Sequence, residues 1–188
     1  MKFNLLCSML SVTHPQQVFR YCPRCGSEQF KILGAKAHCC AGCKFELYTN
    51  ASGAVVALIR NEHNEILFTR RAFNPCKGAL DLPGGFIDPG ESAEEALARE
   101  LHEELNLHIS KAVYKGSFPN EYIYSGLSVF TVDLVFECSV SDFNTLRASD
   151  DVSSCEFHAI TPEIIKHIGF ESIRNIVARE LGKDTQYM

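Results

Sequence analysis

Three glutamates, Glu100, Glu103 and Glu104, lie within the segment Gly84–Leu107, which reads GGFIDPGESAEEALARELHEELNL. On an α-helix, residues three and four apart share a face. At about 100° of turn per residue, the three carboxylates project within one arc of roughly 100°. Like charges so close weaken a helix unless a cation sits among them. Hard oxygen donors of this kind suit Mg²⁺ or Mn²⁺ rather than Zn²⁺. A solvated acidic face is the plain alternative for any charge run, but the residues around this one form a longer pattern.

A second set of chemistry-bearing residues precedes it. Cys22, Cys25, Cys40 and Cys43 give the spacing Cys-x2-Cys-x14-Cys-x2-Cys, which suits two knuckles holding one tetrahedral Zn²⁺. Gly26 after the first pair allows the positive φ that such turns need. A segment this small has little core, so metal binding would supply most of its folding free energy. Cys39 competes with Cys40 for the third position, and the regular two-residue gap favours Cys40. His38 is a fifth candidate, with a surface histidine the favoured reading. Cys7, Cys76, Cys138 and Cys155 lack a pairing or nucleophile context. A redox role for the Cys-x-x-Cys pairs lacks the βαβ setting it would need.

The acidic segment continues into a fixed pattern: Gly85, five residues, Glu91, seven residues, Arg99-Glu100-Leu101-x-Glu103-Glu104, closing on Leu107. This resembles the Nudix hydrolase signature. One position departs, since the family usually has glycine where Asn106 stands. Asn106 falls just past the helix end, where a left-handed backbone is common and Asn is the next most tolerant residue. The preceding stretch, with Tyr48 and Asn50, is similar to the zinc-ribbon branch of that family, which includes NADH pyrophosphatases. The resemblance covers about residues 50–180.

The resemblance implies hydrolysis of a nucleoside diphosphate linked to another group, with divalent metal neutralising the pyrophosphate oxygens and activating water. It makes Glu100 and Glu104 the central metal ligands and Glu103 a direct or water-mediated one. The Gly84 carbonyl is implied as a backbone ligand. Glu91 and Arg99 are implied as an ion pair that holds the loop containing Gly85 against the helix. The general base stays open among Glu103, Glu121, Asp150 and Asp151, with a polar turn the preferred reading of Asp150-Asp151. Arg70, Arg71 and Lys77 are candidate phosphate contacts. Phe73, Phe118, Tyr122 and Tyr124 are candidate base contacts, although strand aromatics are more often core.

The elements that must position these residues follow from periodicity. The acidic helix is expected from near Ser92 to near Leu105, with Leu97, Leu101 and Leu105 as its apolar stripe. SGAVVALIRN and EILFTRRA read as two strands of a hairpin around the polar turn NEHNE. ALDLPGGFID carries a strand into the glycine loop. KAVYKGSFPNEYIYS and GLSVFTVDLVFECSV read as long strands joined at Ser125-Gly126. In the second, Phe130, Val132, Leu134 and Phe136 form the expected apolar face, opposite Val129, Thr131, Asp133 and Val135. CEFHAI is a short strand. Thr161-Pro162 caps a helix, and a last amphipathic helix spans about Glu171–Leu181. The expected fold class is α/β: a Nudix α/β/α sandwich with a mixed sheet, preceded by a small zinc ribbon. The expected division is a lead-in over 1–20, a ribbon over 21–47 and a hydrolase domain over 48–188.

A chain of 188 residues, 46% hydrophobic and 22% charged, with a net charge of −5, has the makeup of a globular protein without a strongly basic nucleic-acid surface. Its longest apolar run, Ala54 to Ile59, is too short to cross a bilayer. MKFNLLCSMLSV has the outline of a secretory signal but lacks a cleavage site, so an N-terminal strand, helix or loose lead-in is the expectation. An odd total of nine cysteines suits a reducing, cytoplasmic setting. The chain has no tryptophan and so lacks the Trp-containing motif that NADH pyrophosphatases carry after the signature. Ile123 stands where ADP-ribose pyrophosphatases often have proline, and Tyr124 loosely matches the diadenosine polyphosphate type. Substrate candidates are therefore ADP-ribose, NADH and dinucleoside polyphosphates. RNA 5′-end processing and non-catalytic nucleotide sensing are the alternatives. A homodimer is expected only because relatives often form one.

Overall fold

The computed structural model describes residues 10–184. The expectation of an N-terminal element falls mainly on residues 1–9, with Cys7, outside that range. Two compact units make up the chain. One joins the described residues up to Ala51 with Glu121–Phe130, and the other joins Ser52–Asn120 with the residues from Thr131 onward.

The first unit holds a short helix α1 (Pro15–Val18) and three strands, β1 (Phe30–Leu33), β2 (Ala37–Cys40) and β3 (Glu46–Tyr48), paired antiparallel in that order. Phe30 pairs with Cys40, and Ile32 with His38. Strand alternation therefore puts His38 on the inner face that carries Cys40. His38 is only 1% exposed and stacks on Phe30 with ring centroids 4.8 Å apart. This corrects the expectation of a surface histidine. Burial disfavours the imidazolium and lowers the pKa of His38. The turn Ser125-Gly126, with φ of 51° and 78°, joins the two long strands as expected. Just beyond it, the Ser128 N–H donates to the Thr13 carbonyl at 2.8 Å.

The second unit contains β4 (Ser52–Ile59), β5 (Ile66–Arg71), β6 (Leu80–Asp81) and α2 (Ala93–Leu105), followed by most of β7 (Ile109–Tyr124) and β8 (Leu127–Val140). It ends with β9 (Val152–His158), α3 (Pro162–Lys166) and α4 (Glu171–Asp184). β4 lies parallel to β8, and β5 lies antiparallel between β6 and β9. The expected β4–β5 hairpin shrinks to a single bridge, Arg60 to Ile66. Val55–Ile59 are all buried, and a strand covered on both faces takes its neighbours from the sheet interior rather than from an adjacent turn.

Alternate β4 residues divide between two cores. Val55, Ala57 and Ile59 meet Ala96, Leu97, Leu101 and Leu105 of α2. Val56 and Leu58 meet Ile173, Ile176 and Val177 of α4. The sheet is thus sandwiched between helices, an α/β/α architecture. β8 keeps its expected apolar face in part, with Leu134 and Phe136 packed in the α2 core, but its other face is buried too. Thr131, Asp133 and Val135 are buried, while Val132 is 37% exposed. The polar pair tolerates burial because the Thr131 hydroxyl donates to Asp133 Oδ1 at 2.6 Å. No helix among the described residues is long and apolar enough to cross a membrane.

Candidate active site and cysteine cluster

Local chemistry fixes both ends of α2. Ser92 caps the first turn and Glu95 closes a capping box, its Oε2 accepting the Ser92 N–H at 2.8 Å. At the other end, Asn106 takes the left-handed conformation, φ 53° and ψ 36°, and donates its N–H back to His102. Leu97, Leu101 and Leu105 are buried, which sets the rotation of the helix. Glu100 and Glu104 therefore face the loop that follows β6.

That loop runs alongside β4. Val55 N–H donates to the Gly85 carbonyl and Ala57 N–H to the Pro83 carbonyl, each at 2.8 Å. The residue between them turns its backbone groups the other way, and Gly84 N–H donates to Glu104 Oε2 at 3.0 Å. Neither glycine has room for a side chain. A Cβ on Gly84, where φ is 139°, would stand 2.1 Å from the Val55 carbonyl oxygen, and one on Gly85 would stand 2.4 Å from Glu100 Oε1.

Arg99 ties the loop to the helix. Its Nε and Nη2 grip both oxygens of Glu91 at 2.9 and 2.8 Å, and Nη2 also donates to the Phe86 carbonyl at 3.0 Å. Nη1 reaches Glu100 at 2.8 Å and Glu103 at 3.2 Å. This fork needs arginine, since a lysine ammonium cannot serve three carboxylates and a carbonyl together.

Glu104 is 5% exposed. Burial first, then the charges of Asp151 and Glu100, hold its pKa well above the ordinary 4.5 against the opposing Gly84 N–H. Burial also raises the pKa of Glu100, helped by Glu103 and Asp151 and opposed by Arg99. Asp151 comes from the turn before β9, which is fastened to α2 by Ser149 N–H donating to the Glu104 carbonyl at 2.8 Å. Oxygen donors with mutually unfavourable charges fit a hard divalent cation. The glutamate oxygens are not gathered as tightly as the cysteines. Arg99 holds Glu100 and Glu103, and Gly84 holds Glu104.

The other candidates stand as follows. Arg70 donates to the Gly78 carbonyl at 2.8 Å and pairs with Glu156. Arg71 donates to the Pro75 carbonyl and to Asp81, at 2.7 and 3.0 Å, and lies over the Phe170 ring. Both arginines are thus committed to the fold. Tyr124 is exposed at the hairpin tip in the first unit, as is Glu121, whereas the carboxylates lie in the second. Three side chains escaped notice in the sequence. Phe86 is 44% exposed beside Gly85, and its place inside the acidic segment was its only signal. Asp81 is buried, and its carboxyl is pushed up to about 6 by burial against the pull of Arg71. Alternation alone puts Asp133 opposite the expected apolar face, yet it is buried.

In the first unit, Cys22, Cys25, Cys40 and Cys43 place their sulfurs within 4.8 Å of one another. Cys22–Cys43 and Cys25–Cys40 are 3.7 and 3.6 Å apart. Four thiolates about 2.3 Å from one tetrahedral Zn²⁺ would be separated by about 3.8 Å, so the cluster has zinc dimensions. The two knuckles match. Gly26 N–H donates to the Cys22 carbonyl at 2.8 Å and Lys44 N–H to the Cys40 carbonyl at 3.0 Å, with positive φ at both donors. The Cys43 N–H, with that of Gly42, pulls Cys40 down to about 6. Cys39 and His38 lie outside the cluster.

Known proteins resemble this chain. An NAD-capped RNA hydrolase, NudC, of Vibrio parahaemolyticus is 30% identical over 131 residues, 70% of this chain and 50% of its own. An ADP-ribose pyrophosphatase of Methanocaldococcus jannaschii is 34% identical over 120 residues, 61% of this chain and 65% of its own. The chain thus spans half to two thirds of the length of these relatives. A crystal structure of a NUDIX hydrolase from Nitrosomonas europaea shares the fold with a TM-score of 0.67 and 22% identity, covering 89% of this chain and 93% of the other. The family model for the NUDIX domain matches residues 51–178. That span starts beside β4 and ends within α4, taking in the glycine turn and the whole acidic helix, and on that ground the chain belongs to the NUDIX family.

Proposed function

We propose that this chain hydrolyses the pyrophosphate bond of a nucleoside diphosphate linked to a second group, using Mg²⁺ or Mn²⁺. The observation that carries this reading is the meeting of Glu100, Glu104 and Asp151 with the Gly84-Gly85 turn, with Glu103 at the rim. Glu100 and Glu104 would hold the cation, with Glu103 and the Gly84 carbonyl as further ligands. When bound, a divalent cation neutralises pyrophosphate oxygens and makes a water more acidic. Glu91 and Arg99 keep the loop on the helix. Asp151, beside Glu100 and Glu104, takes the proton of the attacking water. Phe86 offers an exposed ring on which a base can stack. The four cysteines hold a structural Zn²⁺ in a ribbon over residues 21–47, ahead of the hydrolase domain.

The test is a chromatographic screen of ADP-ribose, NADH, dinucleoside polyphosphates and nucleoside triphosphates with Mg²⁺ or Mn²⁺. Turnover of at least one, lost on chelation, is expected. No turnover on any would move the reading to nucleotide sensing.

A second reading keeps the chemistry and enlarges the substrate to the 5′ end of an RNA. The relative from Vibrio parahaemolyticus carries that activity in its name. In this chain, Lys31, Leu33 and Tyr48 are exposed on the ribbon sheet. Faster cleavage of a dinucleotide-capped RNA than of the free dinucleotide would favour it.

A further inference from the structure

One rung of the sheet links the glycine loop to a buried acid. Ala54 is bridged by Phe86 on one side and paired with Asp133 on the other. Paired residues in a sheet share a face. Val55 packs on α2, so Phe86, Ala54 and Asp133 share the face directed away from that helix. Neighbouring strands lie about 4.8 Å apart, which sets the Phe86 and Asp133 backbones roughly 10 Å from each other. The floor between them is the methyl group of Ala54. Asp133 is 5% exposed. Its Oδ1 takes the Thr131 hydroxyl at 2.6 Å, and its Oδ2 has no donor among the described residues. The guanidinium of Arg71 is bonded to Asp81. That second Asp133 oxygen is an acceptor left open to a donor from outside the chain. The ring, the flat floor and the acceptor together suit a planar heterocycle that presents an N–H edge.

We propose that Asp133 is a specificity-determining residue: it accepts the exocyclic amino group of the substrate's base, lying over Ala54 beside Phe86. This rests on the hydrolase reading above, because the rung continues from the loop that carries Gly84 and Gly85. The ligand class is an aminated heterocycle, adenine being the simplest example. A base with a carbonyl at that position turns a lone pair toward Asp133 and is rejected.

The test compares AMP with IMP, which differ by amino against oxo at one position, in calorimetric titrations of the wild-type protein and of Asp133→Asn. A hydrogen bond to a charged acceptor contributes about tenfold or more in affinity, so wild type should bind AMP at least tenfold more tightly than IMP. Asn presents both a donor and an acceptor, so Asp133→Asn should bring the ratio to about one or reverse it. Where ADP-ribose and its hypoxanthine counterpart are hydrolysed, the same ratio should appear in kcat/KM, mainly through KM. Equal affinity of wild type for AMP and IMP overturns the proposal, and needs neither a variant nor turnover. A preference for AMP that survives Asp133→Asn overturns it too, leaving Asp133 a structural residue. Amino-selective binding without hydrolysis of any nucleotide keeps the subsite and rejects the hydrolase reading alone.

Discussion

Gly84 and Glu104 are joined across the gap between loop and helix by one hydrogen bond, the glycine N–H donating to Oε2 at 3.0 Å. The bond fixes the rotamer of a carboxylate that burial would otherwise disfavour. It also explains the glycine, since any Cβ there would strike the Val55 carbonyl. One backbone donor thereby sets both the loop conformation and the aim of the acid.

Glu104→Gln keeps the shape and an oxygen for Gly84 while removing the charge. With Glu104 as a proposed holder of the cation, the substitution should cost about a thousandfold or more in kcat, in the range seen when a preorganised electrostatic group is removed. The fold should not suffer, because a buried, unneutralised charge has been taken away. Steady-state rates and a thermal melt check this together. Activity within tenfold of wild type would remove Glu104 from the metal set.

The buried acids also predict how stability responds to pH. Glu100 and Glu104 have pKa values raised above 4.5, and Asp81 is pushed from 3.8 up to about 6. The native state therefore holds these protons more tightly than the unfolded chain does. By linkage, metal-free stability falls as pH rises from the unfolded values through the native ones. Glu91 and Glu95 are shifted downward, by Arg99 and by the Ser92 backbone N–H respectively. They work in the opposite sense, but their native values lie below 4.5, so their contribution is nearly constant above about pH 5. Metal-free melting temperature should therefore decline from about pH 5 to 7, and the rise on adding Mg²⁺ should grow over the same range. Melts with and without Mg²⁺ measure both, and a Mg²⁺ effect independent of pH would count against the glutamate site.

The chemistry was more legible in the sequence than the topology. Spacing placed Glu100, Glu104, Arg99 and Glu91 on one helix and its leading loop, because helical periodicity is local and rigid. It could not bring in Asp151, whose approach depends on Ser149 bonding to the end of α2, a contact more than forty residues away in the chain. Strand pairing failed for the same reason. The β4–β5 turn looked like a hairpin, but β4 chose β8, some eighty residues distant. Alternation along β8 did not show that Asp133 is buried, since a polar residue on a strand covered on both faces reads like one facing water.

The cysteine cluster separates two adjacent thiols by strand face. Cys40 is buried within the cluster and Cys39 points away from it. Cys40→Ser should lose the zinc and unfold the ribbon, since the metal supplies most of the folding free energy of so small a unit. Cys39→Ser should keep one zinc per chain and an unchanged melt. Elemental counting on both variants decides it, and zinc lost equally from the two would reopen the choice of third ligand.

Asn106 departs from the glycine usual in the signature and puts two magnitudes in opposition. Its left-handed backbone costs a non-glycine residue roughly 1 kcal/mol, which Asn106→Gly would relieve. But its Nδ2 donates to the Thr145 carbonyl at 3.2 Å, while the Thr145 hydroxyl returns a bond to the Asn106 carbonyl at 2.9 Å. The substitution would lose the first of these bonds, also worth about 1 kcal/mol, and the glycine would add freedom to the unfolded chain. The two losses outweigh the gain, so stability in urea should fall by roughly 0.5–1 kcal/mol. The effect should surface also in the turn that follows α2 at a distance. Thr145 belongs to the segment whose far end carries Asp151, so amide exchange over residues 143–151 should quicken in Asn106→Gly. A gain of a full kcal/mol with no change in exchange would mean that the side-chain bond contributes nothing and that asparagine here is only tolerated.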